Sequence, residues 1–539
     1  MIQTTLTTNT SDTRLDSAEA ELCSQSFWSL WRWWLPPGLL ALALVLYFVD
    51  PFIGDWDGMD YTMLSLAGYP SSMALGRNLF IFGNHTLFVV ARSLFGLSQE
   101  NAYLLFKYAV VAQAPFAVIA CWLLAKRFSQ SVHTATTAAL LVACSPMFVL
   151  YGGQVMTDVP SVLLLAVALL IHFRGIRTKN VWLILAGAML MGLGVNLRET
   201  VGLYLPWLLF GPFVCGWKFQ KREVAYVVVS IAVFGLFAFG WFAYWFITDS
   251  YYRGIWHGWR ESMRLESARH PVTIANLIPF VMYFFISAPL VFVSLPFAPV
   301  REWRLHRLSP LLFLWLTGLF ANLLLIFNYS TTVNWRYFLT GLPALVPLGA
   351  HSLLHLLKRF THSTRKAFVT CIVAILGLAL IFAIYVRPIS YEFVERRAMS
   401  KQYKQRLEGI PPDAVMISGS QTIAVTYWAA IGMGRWKTIG TGGGWPGDQL
   451  NPVIQKYLNE GRRVFLDSDP RWWLPCGWQR DEIPMIVELE KHFAFRRVTD
   501  TIFELRPLGD LSATDKPNLA RLLPENRPAD TKKCPVGRT

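Results

Sequence analysis

NAYLLFKYAVVAQAPFAVIACWLLAKR, residues 101–127, decides the fold class. Before its closing Lys126 and Arg127 it carries one charged side chain, Lys107, and as a helix it is long enough to cross a bilayer core of about 30 Å. The basic pair at its end is what a cytoplasmic membrane face selects. Outward from this run, about eleven windows of the same character recur. They span Pro37 to Ile53, Asn101 to Ala125, Thr134 to Tyr151, Pro160 to Phe173, Val181 to Leu197 and Val201 to Trp217. Val224 to Ile247, Ile274 to Ala298, Leu311 to Phe327, Tyr337 to Leu357 and Ala367 to Val386 complete the set. The composition agrees, because 54% hydrophobic residues against 15% charged, at a mean hydropathy of +0.38, is more apolar chain than a soluble domain can hide.

The connections after alternate spans hold the positive charge. Lys126 and Arg127; Arg174, Arg177 and Lys179; Lys218, Lys221 and Arg222; Arg301, Arg304 and Arg307; and Lys358, Arg359, Arg365 and Lys366 all fall there. The alternation predicts a cytoplasmic N-terminal segment, residues 1–34, and places everything after Val386 on the opposite side. It also explains the net charge of +15 without nucleic acid. No cleavable signal peptide is expected, since polar residues precede the first apolar run. Trp28, Trp31, Trp33 and Trp34 read as an interfacial aromatic belt. Cys121, Cys144, Cys215 and Cys371 lie in spans as packing residues, while Cys476 and Cys534 in the tail are free to pair.

The expected architecture is therefore a polytopic α-helical membrane protein with a soluble C-terminal domain. Residues 35–386 form the membrane domain, interrupted by an amphipathic first outer loop, residues 54–100, which reads as helices in the membrane interface. Residues 387–510 change to soluble composition, with strands expected at Val415 to Ser418, Arg435 to Ile439, Arg463 to Leu466 and Val498 to Leu505. Helices are expected at Gln421 to Ile431, Pro452 to Glu460 and Glu482 to His492, giving a small α/β domain. Residues 511–539 read as disordered.

Chemistry concentrates where the outer loops meet the membrane. Asp55, Asp57 and Asp60 follow the first span directly; a helix cap uses one acid and three suggest a site. Asp158, just before Pro160, serves equally well as a cap or as a site residue. Arg198 is either a local partner of Glu199 or a phosphate ligand, and Arg336 invites the same two readings. Arg253, His257, Arg260 and Arg264 share one helical face, suited either to a phosphate or to anionic lipid headgroups. Glycine-rich Gly440 to Gly447 lacks the Lys-Ser/Thr of a phosphate loop and reads as a turn. His351 and His355 have no glutamate beside them to complete a zinc site, and the sequons at Asn84 and Asn328 matter only if a host glycosylates them.

Asp57, Gly58, Met59, Asp60 and Tyr61, followed by Ala67, resemble the first-loop Asp-Glu-x-x-Tyr pattern of the GT-C glycosyltransferases. That superfamily includes protein O-mannosyltransferases and bacterial aminoarabinose transferases. Gln154 to Ala166 resembles the family's Asp segment entering span four. Gly194 to Pro206 resembles its basic segment leading to Leu-Pro, and Trp335 to Pro347 its Arg-Tyr stretch ending in Pro. The resemblance covers roughly residues 35 to 390 and implies a GT-C-like membrane domain in a bacterial inner membrane.

By that resemblance Asp57 is the catalytic aspartate, and Asp55, Asp60 and Asp158 support it or hold acceptor or metal. Arg198, Arg336, Arg253, His257, Arg260 and Arg264 are the candidates for a lipid phosphate. Gly58 replaces the family's acidic neighbour, which weakens the case for a bound Mg or Mn ion; Asp60, one turn on, is the candidate to stand in for it. The implied reaction moves a sugar from a polyprenyl-phosphate donor, with inversion, to a glycan, lipid or protein acceptor at the outer face. The rivals are a polyprenyl-linked glycan ligase or polymerase, leaning on His257 and Arg260, and a lipid-linked sugar transporter or flippase. Transporters place ionisable groups near the midplane, whereas these charges collect at one side.

Overall fold

The computed structural model describes residues 28–49, 56–71, 76–257, 289–294, 298–306, 308–328, 335–389, 404–418, 422–440, 447–468 and 482–509, with isolated positions between them. In chain order the helices are α1 (Trp31–Phe48), α2 (Trp56–Ala67), α3 (Asn78–Phe95), α4 (Ala102–Ser129), α5 (Val132–Ala143), α6 (Pro146–Gly152), α7 (Asp158–Thr178) and α8 (Val181–Leu197). They continue with α9 (Leu205–Val214), α10 (Lys221–Thr248), α11 (Pro310–Asn328), α12 (Leu342–Thr361) and α13 (Thr364–Ile389). Strands β1 (Val415–Ser418), β2 (Lys437–Gly440), β3 (Val464–Asp467), β4 (Phe493–Arg497) and β5 (Ile502–Pro507) alternate with α14 (Thr422–Ala430), α15 (Gly447–Asn459) and α16 (Glu482–Leu489).

The chain forms two compact units. A helical unit takes Met1–Val49, Pro70–Gly83 and Lys107–Ser390; a sheet unit takes Asp50–Tyr69, Asn84–Phe106 and Tyr391–Thr539. The protein is an integral membrane protein. Among the described residues six helices are long and apolar enough to span, or seven if the bent pair α5 and α6 counts as one. This is fewer than the expected eleven, for identifiable reasons. The third window is broken by 58° between Ala143 and Pro146, because a residue before proline is driven out of the α region. The sixth becomes a 3-10 segment, Glu199–Tyr204, plus the 10-residue α9. The fifth and ninth are shorter apolar helices, and most of the eighth lies outside the described residues.

Small residues set the tightest packing in the helical unit. A Cβ on Gly187 of α8 would lie 2.5 Å from the Cβ of His172 on α7, and one on Gly192 would lie 2.5 Å from the Phe234 carbonyl of α10. Backbones therefore approach closely at both crossings. Around them Leu165, Leu169, Ile184, Trp207, Phe234 and Ala344 form a continuous core.

In the sheet unit the strand order is β2-β1-β3-β5-β4. β1 runs parallel to β2 and β3, while β5 is antiparallel to β3 and β4. Alternate residues Val415, Ile417, Val464, Leu466, Phe503 and Leu505 face Leu450 and Ile454 of α15 and Met485, Ile486 and Leu489 of α16. β1 matches its expected range, and β2 and β3 shift by one or two residues. The expected strand Val498 to Leu505 instead closes a hairpin, its turn held by Val498 N–H to Ile502 O, so that β4 precedes it. Beyond β4, the Asp515 N–H donates to Phe495 O at 2.9 Å, and the Asp515 carboxylate accepts from Arg497 N–H at 2.8 Å. The described part of residues 54–100 forms α2 and α3, and in the sheet unit α2 packs against α14.

Candidate active site

Three polar segments of the helical unit gather at the ends of its helices. α8 stops at Asn196 and Leu197; Arg198 follows in extended backbone (φ −155°, ψ 124°), which turns its side chain back toward the start of α7. There Arg198 Nη1 donates to Asp158 Oδ1, and at 3.5 Å to Thr157 Oγ1. Asp158 and Arg198 are both essentially inaccessible to solvent. Thr157, not Asp158, occupies the N-cap of α7. Asp158 is thus an ion-pair residue and Glu199 is not the partner of Arg198.

Glu199 instead receives Arg77, whose Nη2 lies 3.4 Å from Glu199 Oε1. Arg77 reaches it from a left-handed backbone (φ +65°), directly after Gly76 at φ +83°. A side chain on Gly76 would put its Cβ 2.8 Å from Glu199 Oε2, so only glycine lets this turn lie against the carboxylate. Burial pushes the Glu199 carboxyl up, but Arg77, Arg198, its own backbone N–H and Arg336 outweigh burial and hold it below the usual carboxylate range.

Arg336 enters from the 3-10 segment Trp335–Gly341, is buried, and directs Nη1 to the Met156 sulfur at 2.9 Å, with its guanidinium 6.0 Å from the centre of the Tyr151 ring. Thr340 of this segment accepts at its carbonyl from the Tyr204 hydroxyl at 2.8 Å, and its hydroxyl pairs with that of Thr200 at 3.2 Å. The two 3-10 segments are thereby locked together. Three guanidinium groups, Arg77, Arg198 and Arg336, meet two carboxylates, Asp158 and Glu199. Guanidinium groups held away from water in this way suit an anion.

Other expected site residues fall elsewhere. Asp57 and Asp60 lie in the sheet unit on the first turns of α2; both are half-buried, while Gly58 between them is buried. A carboxylate at the position of Gly58 would be desolvated by the same packing. Asp55 and Arg264 lie outside the described residues. Arg253 donates from Nη1 to the Phe246 and Ile247 carbonyls at 3.1 and 3.0 Å, closing the end of α10, whereas His257 and Arg260 are exposed. Among the described residues no three His, Cys, Asp or Glu side chains gather into a set of metal ligands.

An apolar cavity of about 420 Å³ opens at the bend between α5 and α6, lined among others by Leu141, Cys144, Pro146, Leu378, Ile381 and Phe382.

The profile of the family described as dolichyl-phosphate-mannose-protein mannosyltransferase matches residues 87–245, which run from α3 through α10. ArnT of Cupriavidus metallidurans, solved bound to undecaprenyl phosphate, superposes with a TM-score of 0.58 at 13% identity. The match covers 90% of this chain and 100% of that one. The chain carries the fold of the GT-C membrane glycosyltransferases. The oligosaccharyltransferase AglB of Archaeoglobus fulgidus, in complex with an inhibitory peptide and a dolichol-phosphate, is similar at 11% identity with a TM-score of 0.49. It covers 93% of this chain and 78% of that one. No curated protein matches the chain in sequence.

The structure brings Asp158, Arg198 and Arg336, which the sequence offers as candidates, together with Arg77 and Glu199, which it does not offer as site residues. Arg77 read as one polar residue of an amphipathic loop. The available signal was the Gly76-Arg77-Asn78 run, in which glycine permits a turn just ahead of a helix.

Proposed function

We propose that the chain is an inverting glycosyltransferase that moves a sugar from a polyprenyl-phosphate donor to an acceptor hydroxyl at the outer face of the membrane. The observation that carries this is the buried group of Arg77, Arg198 and Arg336, gathered with Asp158 and Glu199 in a chain with the GT-C fold. The undecaprenyl phosphate bound to ArnT supports a lipid phosphate as the anion, and the apolar cavity at the α5–α6 bend suits an isoprenoid chain.

In this scheme the Asp57 carboxylate takes the proton of the acceptor hydroxyl as its oxygen attacks the anomeric carbon. The new glycosidic bond forms on the face opposite the leaving group, the bond to the lipid phosphate breaks, and the configuration inverts. The arginines stabilise the charge that develops on the departing phosphate. Asp158 and Glu199 hold two of those guanidinium groups in place. The ligase reading would lean instead on His257 and Arg260, both exposed beyond the end of α10. No metal step is assigned, and the acceptor is left as a hydroxyl of a glycan, lipid or protein.

The test supplies radiolabelled polyprenyl-phosphate sugar to the purified protein and to Asp57→Asn. We expect the variant to bind polyprenyl phosphate and to transfer at least about 100-fold more slowly, as loss of a general base implies. Equal transfer by both proteins removes Asp57 from the mechanism.

A further inference from the structure

The proposed base sits on a short helix. α2 has 12 residues, at the lower limit for a helix to persist alone in water. Its hydroxyl residues bond back along the same helix, Thr62 Oγ1 to Gly58 O at 2.7 Å and Ser65 Oγ to Tyr61 O at 2.6 Å, and so add no anchor elsewhere. One external tie lies at its far end, where His85 Nδ1 of α3 is 2.7 Å from Ser65 O. Asp57 lies at the opposite end, in the first turn.

What α2 packs against is α14 of the sheet unit. α14 is itself held firmly. Its Val425 and Tyr427 are fully buried and Trp428 nearly so, and it packs on both β1 and β2. Tyr427 meets Tyr103 of α4 edge to face, with ring centres 6.2 Å apart, and Trp428 at 5.2 Å; Lys404 Nζ lies 5.6 Å from the Trp428 ring. A general base misplaced by about 1 Å can cost 100-fold in rate, so a carboxylate on a short helix needs rigid support behind it.

Resting on the catalytic assignment of Asp57, we infer that the sheet domain is a positioning element of the reaction, with α14, anchored in that domain through its buried Tyr427 and Trp428, fixing α2 and hence the Asp57 carboxylate. The C-terminal domain then contributes to the chemical step without touching substrate, and its removal acts on turnover rather than on capture of the lipid phosphate.

The experiment uses the full chain in detergent or lipid discs, comparing the parent protein with Trp428→Ala, Trp428→Phe, Tyr427→Leu and Asp57→Asn. Three quantities are read: kcat, the Kd and stoichiometry of polyprenyl phosphate binding, and backbone hydrogen exchange over residues 56–67. For Trp428→Ala and Tyr427→Leu we expect kcat to fall roughly 10- to 100-fold, faster exchange in α2, and unchanged Kd and stoichiometry. Trp428→Phe, which keeps an aromatic ring, recovers most of the rate. Full binding stoichiometry separates this result from a loss of folded protein. Parent-like kcat and parent-like exchange in Trp428→Ala overturn the inference even when Asp57→Asn is inactive. Parent-like kcat in Asp57→Asn overturns the catalytic assignment itself, whatever the α14 variants do.

Discussion

Arginine meets carboxylate in both halves of the molecule under opposite conditions. In the helical unit Asp158 and Arg198 pair with almost no exposure on either side. In the sheet unit Glu504 is nearly buried but receives three partly exposed arginines: Arg463 Nε at 2.5 Å, Arg506 Nη2 at 3.0 Å and Arg496 Nε at 3.5 Å. Burial decides what each arrangement is worth. Surface guanidinium heads stay solvated and lose little when a partner disappears. A buried ion stripped of its counterion has no water to replace it. The first arrangement is a commitment to keep charge inside the protein, which structural stability alone does not require; the second is an ordinary way of finishing a sheet.

The largest expected effect comes from breaking the buried pair. Asp158→Asn leaves Arg198 without the carboxylate beside it and should destabilise the helical unit by about 3–5 kcal/mol. It should appear as a large drop in apparent melting temperature by tryptophan fluorescence, together with loss of polyprenyl phosphate binding. A melting temperature equal to the parent's would mean that the pair is solvated and that the contrast between the units is false.

Gly76→Ala comes next. Its φ of +83° and the 2.8 Å approach of a new Cβ to Glu199 Oε2 predict a cost of about 1–3 kcal/mol. Glu199 should be pushed off Arg77, weakening lipid-phosphate affinity by isothermal titration. An affinity equal to the parent's would detach the Arg77–Glu199 pair from the site.

The smallest effect belongs to Glu504. Burial pushes its carboxyl up, but hydrogen bonds from Arg463 and Arg506 outweigh burial and hold it below the usual carboxylate range. With the folded value depressed, its stabilisation is present above the unfolded pKa and is lost as pH falls through the folded one. Exchange protection in β3 and β5, corrected for the intrinsic pH dependence of amide exchange, should therefore change little from pH 7 down to the ordinary carboxylate range and fall only below it. Protection that falls between pH 7 and 6 would assign the sensitivity to another group.

What could be read from the chain follows how local the determinant is. Runs such as 101–127 declare membrane helices because length and apolarity are local, and β1 was placed to the residue for the same reason. The window Thr134 to Tyr151 also held its own warning, Ser145-Pro146, which apolarity masked. β4 was hidden because Phe493 and Phe495 alternate with period two directly after a helical pattern, and the turn at Val498 looked like strand. The site divides in the same way. Arg198 and Arg336 stood out as cations after a span and at the start of one. The pairing of Arg198 with Asp158 and of Arg77 with Glu199 joins residues far apart in sequence, and no local pattern reports it. Asp158 could not be separated from a cap until Thr157 was seen in that position.

The residue lying outside β4 has a consequence for life in a crowded bilayer. Asp515 fills both the donor and the acceptor needs of the backbone around Phe495 and Arg497 that a strand from a neighbouring copy would otherwise satisfy. Proteins confined to a plane meet one another often and in similar orientations, the conditions under which open sheet margins zip together. With that register already taken, the β4 margin offers a neighbouring copy fewer open backbone groups to zip onto.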